Sequence, residues 1–124
     1  MKSYPLLLLS LILIGLVVAG CASSDNPVQV VEDYFTAIIN DDVEQLAALT
    51  CSAHEAEAVT AATSFRNTGA ELQDMQCSLT PDSNIVQCQG KIVVSYQAEL
   101  REFPLGSYRI EQEGDTWRVC GEAQ

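Results

Sequence analysis

The run Val86-Gln87-Cys88-Gln89-Gly90-Lys91-Ile92-Val93-Val94-Ser95-Tyr96-Gln97-Ala98-Glu99 alternates with a period of two. Val86, Cys88, Ile92, Val94, Tyr96 and Ala98 share one side, and Gln87, Gln89, Lys91, Ser95, Gln97 and Glu99 share the other. Successive side chains of a strand point to opposite faces, so one face of this strand is buried and the other wet. One dry face is the habit of an antiparallel sheet packed on helices; a parallel sheet is covered on both sides.

The neighbouring segments extend the pattern. Upstream, Met75, Cys77 and Leu79 face one way and Asp74, Gln76 and Ser78 the other. Thr80-Pro81-Asp82-Ser83-Asn84 between the two runs is turn chemistry. Downstream, Phe103-Pro104-Leu105-Gly106 reads as the next connection and Tyr108 with Ile110 as a strand. Glu113-Gly114-Asp115 then turns into a last strand, Trp117-Arg118-Val119-Cys120.

Before Gly69 the period is helical. Asn26-Pro27 starts a helix with Gln29 at the capping-box position, and Val28, Val31, Phe35 and Ile38 form its stripe. Asn40-Asp41-Asp42 breaks it and starts a second helix with Val43, Leu46, Ala47 and Thr50 inward. Ser52 and Glu55 have capping-box spacing at the head of a third, whose inner residues are Ala58, Val59, Ala62 and Phe65. The expected fold is α+β: three N-terminal helices packed on a four-stranded antiparallel meander, a reduced cone, over residues 27–122.

The N-terminus carries an address. Lys2 precedes an apolar run from Leu6 to Ala19 that is shorter than the about 20 residues of a spanning helix. The run closes in Val18-Ala19-Gly20-Cys21, which resembles the lipobox of bacterial lipoproteins. The resemblance implies a signal peptide over 1–20, cleavage before Cys21 and lipid on its thiol and new N-terminus. It further implies a tether over 21–26 and a domain held on the outer face of a cell membrane or an outer membrane. An uncleaved anchor and ordinary cleavage near Ala22 are the alternatives. Oligomeric state is not encoded in any motif.

Charge and cysteines fit that compartment. The chain has six Lys and Arg, five once Lys2 leaves with the leader, against seventeen Asp and Glu. Such acidity repels phosphate backbones, and no basic patch interleaved with aromatics appears, so no nucleic-acid partner is expected. Setting Cys21 aside leaves Cys51, Cys77, Cys88 and Cys120, an even set that in an exported domain reads as two disulfides. Cys77 and Cys88 lie symmetrically about the Thr80–Asn84 turn on one face, which pairs them and leaves Cys51 for Cys120. Cys120 has the opposite parity to Trp117 and Val119, so Cys51–Cys77 with Cys88–Cys120 stays open as the second pairing.

The arrangement resembles the nuclear-transport-factor-2-like superfamily, also described as SnoaL-like or cystatin-like α+β cones. Two stretches carry the likeness. One is Val30-Val31-Glu32-Asp33-Tyr34-Phe35-Thr36-Ala37-Ile38-Ile39-Asn40-Asp41-Asp42-Val43-Glu44-Gln45-Leu46; the other is Glu113-Gly114-Asp115-Thr116-Trp117-Arg118-Val119. The first is similar to that family's opening helix pair and the second to its terminal strand. The same scaffold hosts enzymes, immunity proteins and binding modules, so the likeness implies fold more than function.

Candidate sites are few. Tyr34, Tyr96, Tyr108 and Trp117 are the candidates for lining a cavity, but the plainer reading makes the tyrosines core residues with their hydroxyls at the rim and Trp117 a core anchor between sheet and helices. His54, the single histidine, reads as a surface residue near a helix start. Asp74 and Glu99 fall on the polar face, so no inward carboxylate offers a general base. Asp41-Asp42 lacks a calcium loop and the cysteine spacings lack a zinc pattern, so neither metal nor cofactor is expected. The expected function is a lipid-anchored extracytoplasmic module, non-enzymatic, that binds a protein or a small apolar ligand. A small isomerase-like enzyme using a cavity tyrosine and a structural envelope component are the alternatives.

Overall fold

A computed structural model describes residues 26–124; the leader, the lipobox, Cys21 and the tether up to Asp25 lie outside the described residues. Helices α1 (Pro27–Ile39), α2 (Val43–Leu49) and α3 (Ser52–Ser64) precede strands β1 (Glu71–Leu79), β2 (Ile85–Tyr96), β3 (Glu99–Glu113) and β4 (Thr116–Glu122). The strands form one antiparallel sheet in the order β1-β2-β3-β4. The fold is the three-helix, four-strand α+β meander. No helix among the described residues is long and apolar enough to cross a membrane.

Helix α1 forms the centre of the core. The Asn26 side chain accepts from the backbone N–H groups of Val28 and Gln29 at 2.9 and 3.4 Å, covering donors that the first turn cannot use. The capping box is half made, because the Gln29 amide donates instead to Asp33 at 2.9 Å. Val30, Val31, Tyr34, Phe35 and Ile38 are buried against Val86, Ile92, Leu105, Ile110 and Val119. This helical stripe meeting the period-two face of the sheet is the main source of stability.

Helix α2 is rotated from its expected setting. Leu46, Leu49 and Thr50 point inward, whereas Val43 and Ala47 are exposed. Asp42 caps this helix through Gln45 N–H at 3.1 Å, and it breaks free of α1 through Asp41 at φ 53°. Seven residues make only two turns, so the last turn's contact with β4 sets the rotation: Thr50 bridges Val119, and Arg118 Nη1 donates to the Ala47 and Thr50 carbonyls, each at 3.3 Å. At α3 the capping position belongs to Cys51, not Ser52, and no side chain caps there. The Cys51 backbone is extended because its N–H donates to the Val119 carbonyl at 2.9 Å, which shifts the helix start by one residue.

The β2–β3 connection differs from the expected one. It is a two-residue hairpin at Gln97-Ala98, with φ 50° and 67°, and Phe103-Pro104-Leu105-Gly106 lies inside β3. Two consecutive positive φ values match the primed turn that suits strand twist. Pro104 is opposite Lys91, where the ladder shifts by a residue, a place that tolerates a missing N–H.

Bulges curve the sheet around α1. β1 gains a residue between Gln73 and Gln76, and β2 gains one between Cys88 and Lys91. At their meeting point Gly90 has φ 103°, and a Cβ there would lie 2.6 Å from the carbonyl oxygens of Gln73 and Asp74. A third bulge in β4 makes Val119 partner Ile110 and Gly121 partner Arg109, leaving Cys120 as the extra residue. That bulge answers the parity objection: Val119 and Cys120 are both buried although adjacent. The structure joins Cys51 to Cys120, with Cα atoms 4.9 Å apart, and Cys77 to its direct cross-strand partner Cys88, at 4.0 Å.

Candidate functional site

A cleft of about 300 Å³ opens between α1, α3 and the inner face of β3. That volume is at the lower end for small-molecule sites. Its floor is aromatic. Tyr34 and Tyr108 lie with ring centroids 5.3 Å apart, and Phe35 meets Tyr108 edge-on at 5.2 Å. Helical spacing brings Tyr34 and Phe35 to the sheet, and the period-two register of β3 turns Tyr108 inward.

His54 is at the centre of the polar part and is not a surface residue: it is only 4 % exposed. Its Nε2 lies 2.9 Å from the Tyr34 hydroxyl and its Nδ1 lies 3.1 Å from Glu57 Oε2. A carboxylate only accepts, so Nδ1 carries the proton and donates to Glu57. In the neutral ring Nε2 is then an acceptor, and the Tyr34 hydroxyl donates to it. The burial follows from spacing, because His54, Ala58 and Ala62 repeat every four residues on the inner face of α3. Extending the Ala58–Ala62 stripe back by one turn reaches His54.

Two carboxylates reach the cleft from its rim. Glu57 lies one turn of α3 beyond His54, and Glu122 is the cross-strand partner of Tyr108, whose hydroxyl donates to it at 3.5 Å. The expectation of no acid on the inward strand face fails at Glu122, which closes β4 opposite Tyr108, while Asp74 and Glu99 are exposed and Glu57 comes from the helix. Burial is the main cause that lifts the Tyr34 phenol well above its ordinary value, followed by Tyr108, Glu122 and Glu57. The Tyr108 phenol rises likewise, through burial first and then through Glu122 as charge and hydrogen-bond partner. Both phenols are therefore neutral near pH 7, with protons directed at internal acceptors.

Tyr34 and Tyr108 thus meet in one cleft, while the other two candidates lie elsewhere. Tyr96 is half exposed, beside Arg101, whose guanidinium carbon is 5.3 Å from its ring. It borders a separate apolar recess of about 210 Å³ with Phe65, Val94 and Phe103. Trp117 packs half-buried against the core and is not among the residues lining the cleft. Asp42 caps α2, and Asp41 pairs with Arg66 at 2.6 Å. Among the described residues, one grouping has metal-ligand spacing, Cys51, Glu111 and Cys120, and its two sulfurs are bonded to each other.

No protein-family profile matches the chain, and no curated protein matches it. Two solved structures are similar to it. One is a chain named Rd1NTF2_05 that carries five named substitutions; its TM-score is 0.54 at 10 % identity, over 73 % of this chain and 89 % of that one. The other is the solution NMR structure of a de novo β-sheet design protein, with a TM-score of 0.53 at 15 % identity, over 82 % of this chain and 92 % of that one. At these identities the likeness is one of fold, and the fold is nuclear-transport-factor-2-like.

Proposed function

We propose that this chain is a lipid-anchored extracytoplasmic domain that binds a small, partly apolar molecule in the cleft above Tyr34 and Tyr108, without chemical turnover. The observation carrying the binding reading is the cleft itself: an aromatic floor with a fully hydrogen-bonded Glu57–His54–Tyr34 chain at one end. Ligand sites characteristically combine apolar walls with a few fixed polar groups. The anchoring half rests on the sequence Val18-Ala19-Gly20-Cys21.

A second reading, a small isomerase-like enzyme, is favoured by the open cleft holding a buried tyrosine hydroxyl beside an acid. The electrostatics weigh against it. A phenol whose ionisation is suppressed is a poor base, and both phenol protons already point at His54 and Glu122. Neither is free to stabilise a developing oxyanion, and two nearby carboxylates would repel one.

Two measurements test the proposal. Cys21→Ser should abolish lipid labelling and release the protein from membranes; unchanged labelling would refute the anchor. Screening the full chain against small aromatic compounds by ligand-observed NMR should give binders that Ala61→Trp, which fills the cleft, displaces. Binders indifferent to that substitution would refute the cleft as the site.

A further inference from the structure

The cleft is polar at one end and apolar at the other. Glu57, Ala61 and Phe65 recur every four residues along one side of α3 and line it, a span of about 12 Å at 1.5 Å per residue. At the Glu57 end are His54, Tyr34, Tyr108 and Glu122. At the other, Phe65 meets Phe103 edge-on with centroids 5.7 Å apart. Among the described residues, no lysine or arginine lines the cleft.

The polar end offers acceptors and few donors. The Tyr34 proton goes to His54, the Tyr108 proton to Glu122 and the His54 Nδ1 proton to Glu57. What remains for a ligand is the lone pairs of two phenols and the spare oxygens of two carboxylates. A hydroxyl has one donor to give such a site, a carboxylate none, and an ammonium group three with a positive charge. Aromatic faces add attraction for a cation. Resting on the binding reading above, we infer that the cleft selects small amphiphilic organic cations, an ammonium head between Glu57 and Glu122 and an apolar body toward Phe65 and Phe103.

The test uses the full lipidated chain in a non-ionic detergent, titrated calorimetrically with three compounds of one shape: 4-phenylbutylammonium, 4-phenylbutanol and 4-phenylbutyrate. A charge-assisted hydrogen bond is roughly twice as strong as a neutral one, so the ammonium should bind at least about ten-fold tighter than the alcohol. The butyrate should bind most weakly. Glu57→Gln with Glu122→Gln, both at exposed rim positions, should remove the ammonium preference, so that ammonium and alcohol bind with similar affinity. A preference of about ten-fold that persists in this variant would overturn the inference. Alcohol binding as tight as ammonium binding in the unmodified chain would overturn the cation preference and leave the binding reading standing. Failure of all three compounds to bind would overturn both. An ammonium preference that survives Ala61→Trp would put the binding outside the cleft and overturn the inference.

Discussion

Replacing Gly90 by alanine should unfold this domain more readily than any other single-methyl addition at its glycines. Gly90 has φ 103°, where L side chains are strained, and its Cβ would meet three backbone atoms at 2.6–2.7 Å: two carbonyl oxygens and the Asp74 carbonyl carbon. Backbone cannot swing aside as a flexible side chain can, so β1 and β2 must separate at the paired bulges. Left-handed strain costs about 1–2 kcal/mol. Forcing a methyl into an occupied space adds about 1–3 kcal/mol. A total near 3 kcal/mol corresponds to a fall in Tm of roughly 12–24 °C for a domain of this size. Gly69→Ala is the comparison, because Gly69 has φ 63° but nothing within 4 Å of its Cβ, leaving only the strain. Thermal unfolding followed by far-ultraviolet circular dichroism, with the disulfides kept oxidised, measures both. If Gly90→Ala lowers Tm no further than Gly69→Ala, the close approach of the two bulged strands is wrong.

Other expectations concern the site and the cross-links. Tyr34 and Tyr108 ionise less readily folded than unfolded, so the stability they confer is complete below about pH 10 and is lost as pH rises beyond it. Each contributes a slope of up to about 1.4 kcal/mol per pH unit, and Tyr34→Phe should flatten the alkaline fall in urea stability; an unchanged slope would contradict the burial of its hydroxyl. His54→Ala leaves the Tyr34 hydroxyl without its acceptor and opens a void, which should cost about 2–4 kcal/mol in the same assay; a loss below about 0.5 kcal/mol would return His54 to the surface. Removing the Cys51–Cys120 bridge by double alanine substitution should cost about 4 kcal/mol and removing Cys77–Cys88 about 3, from separations of 69 and 11 residues. Non-reducing peptide mapping should recover those two linked pairs, and a Cys51–Cys77 peptide would contradict the register.

The layout of elements was readable wherever one periodicity dominated. The Val31–Phe35–Ile38 stripe buries the side it announces, and the β2 alternation does so at Val86, Cys88, Ile92 and Val94, but Tyr96 at its end is half exposed and Val93 on the other side is buried. Legibility failed where tertiary contact overrides local habit. Gln97-Ala98 lacks the asparagine or glycine that marks a primed turn, whereas Pro104 and Gly106 look like one but sit in a strand beside a bulge. The single residue that β4 gains at Cys120 is invisible to a parity count. In the site, Tyr34 and Tyr108 were found by their apolar surroundings. Glu57 and Glu122 were missed because both are exposed residues that matter only through what lies beneath them. His54 alone had an unread signal, its four-residue spacing from Ala58 and Ala62.

The two bridges are nested: the Cys77–Cys88 loop lies wholly inside the span from Cys51 to Cys120. A chain that crosses a membrane N-terminus first presents Cys51 to the oxidising side well before Cys120, and Cys77 is the first thiol to follow it. Joining cysteines in order of emergence would give Cys51–Cys77 and Cys88–Cys120, the pairing that the sheet forbids. In a copy exported in this order, Cys51 would have to stay reduced, or be released by thiol–disulfide exchange, until β4 has arrived. The bond that fixes the head of α3 thus depends on the last strand, and cannot close on a chain that stops before Cys120.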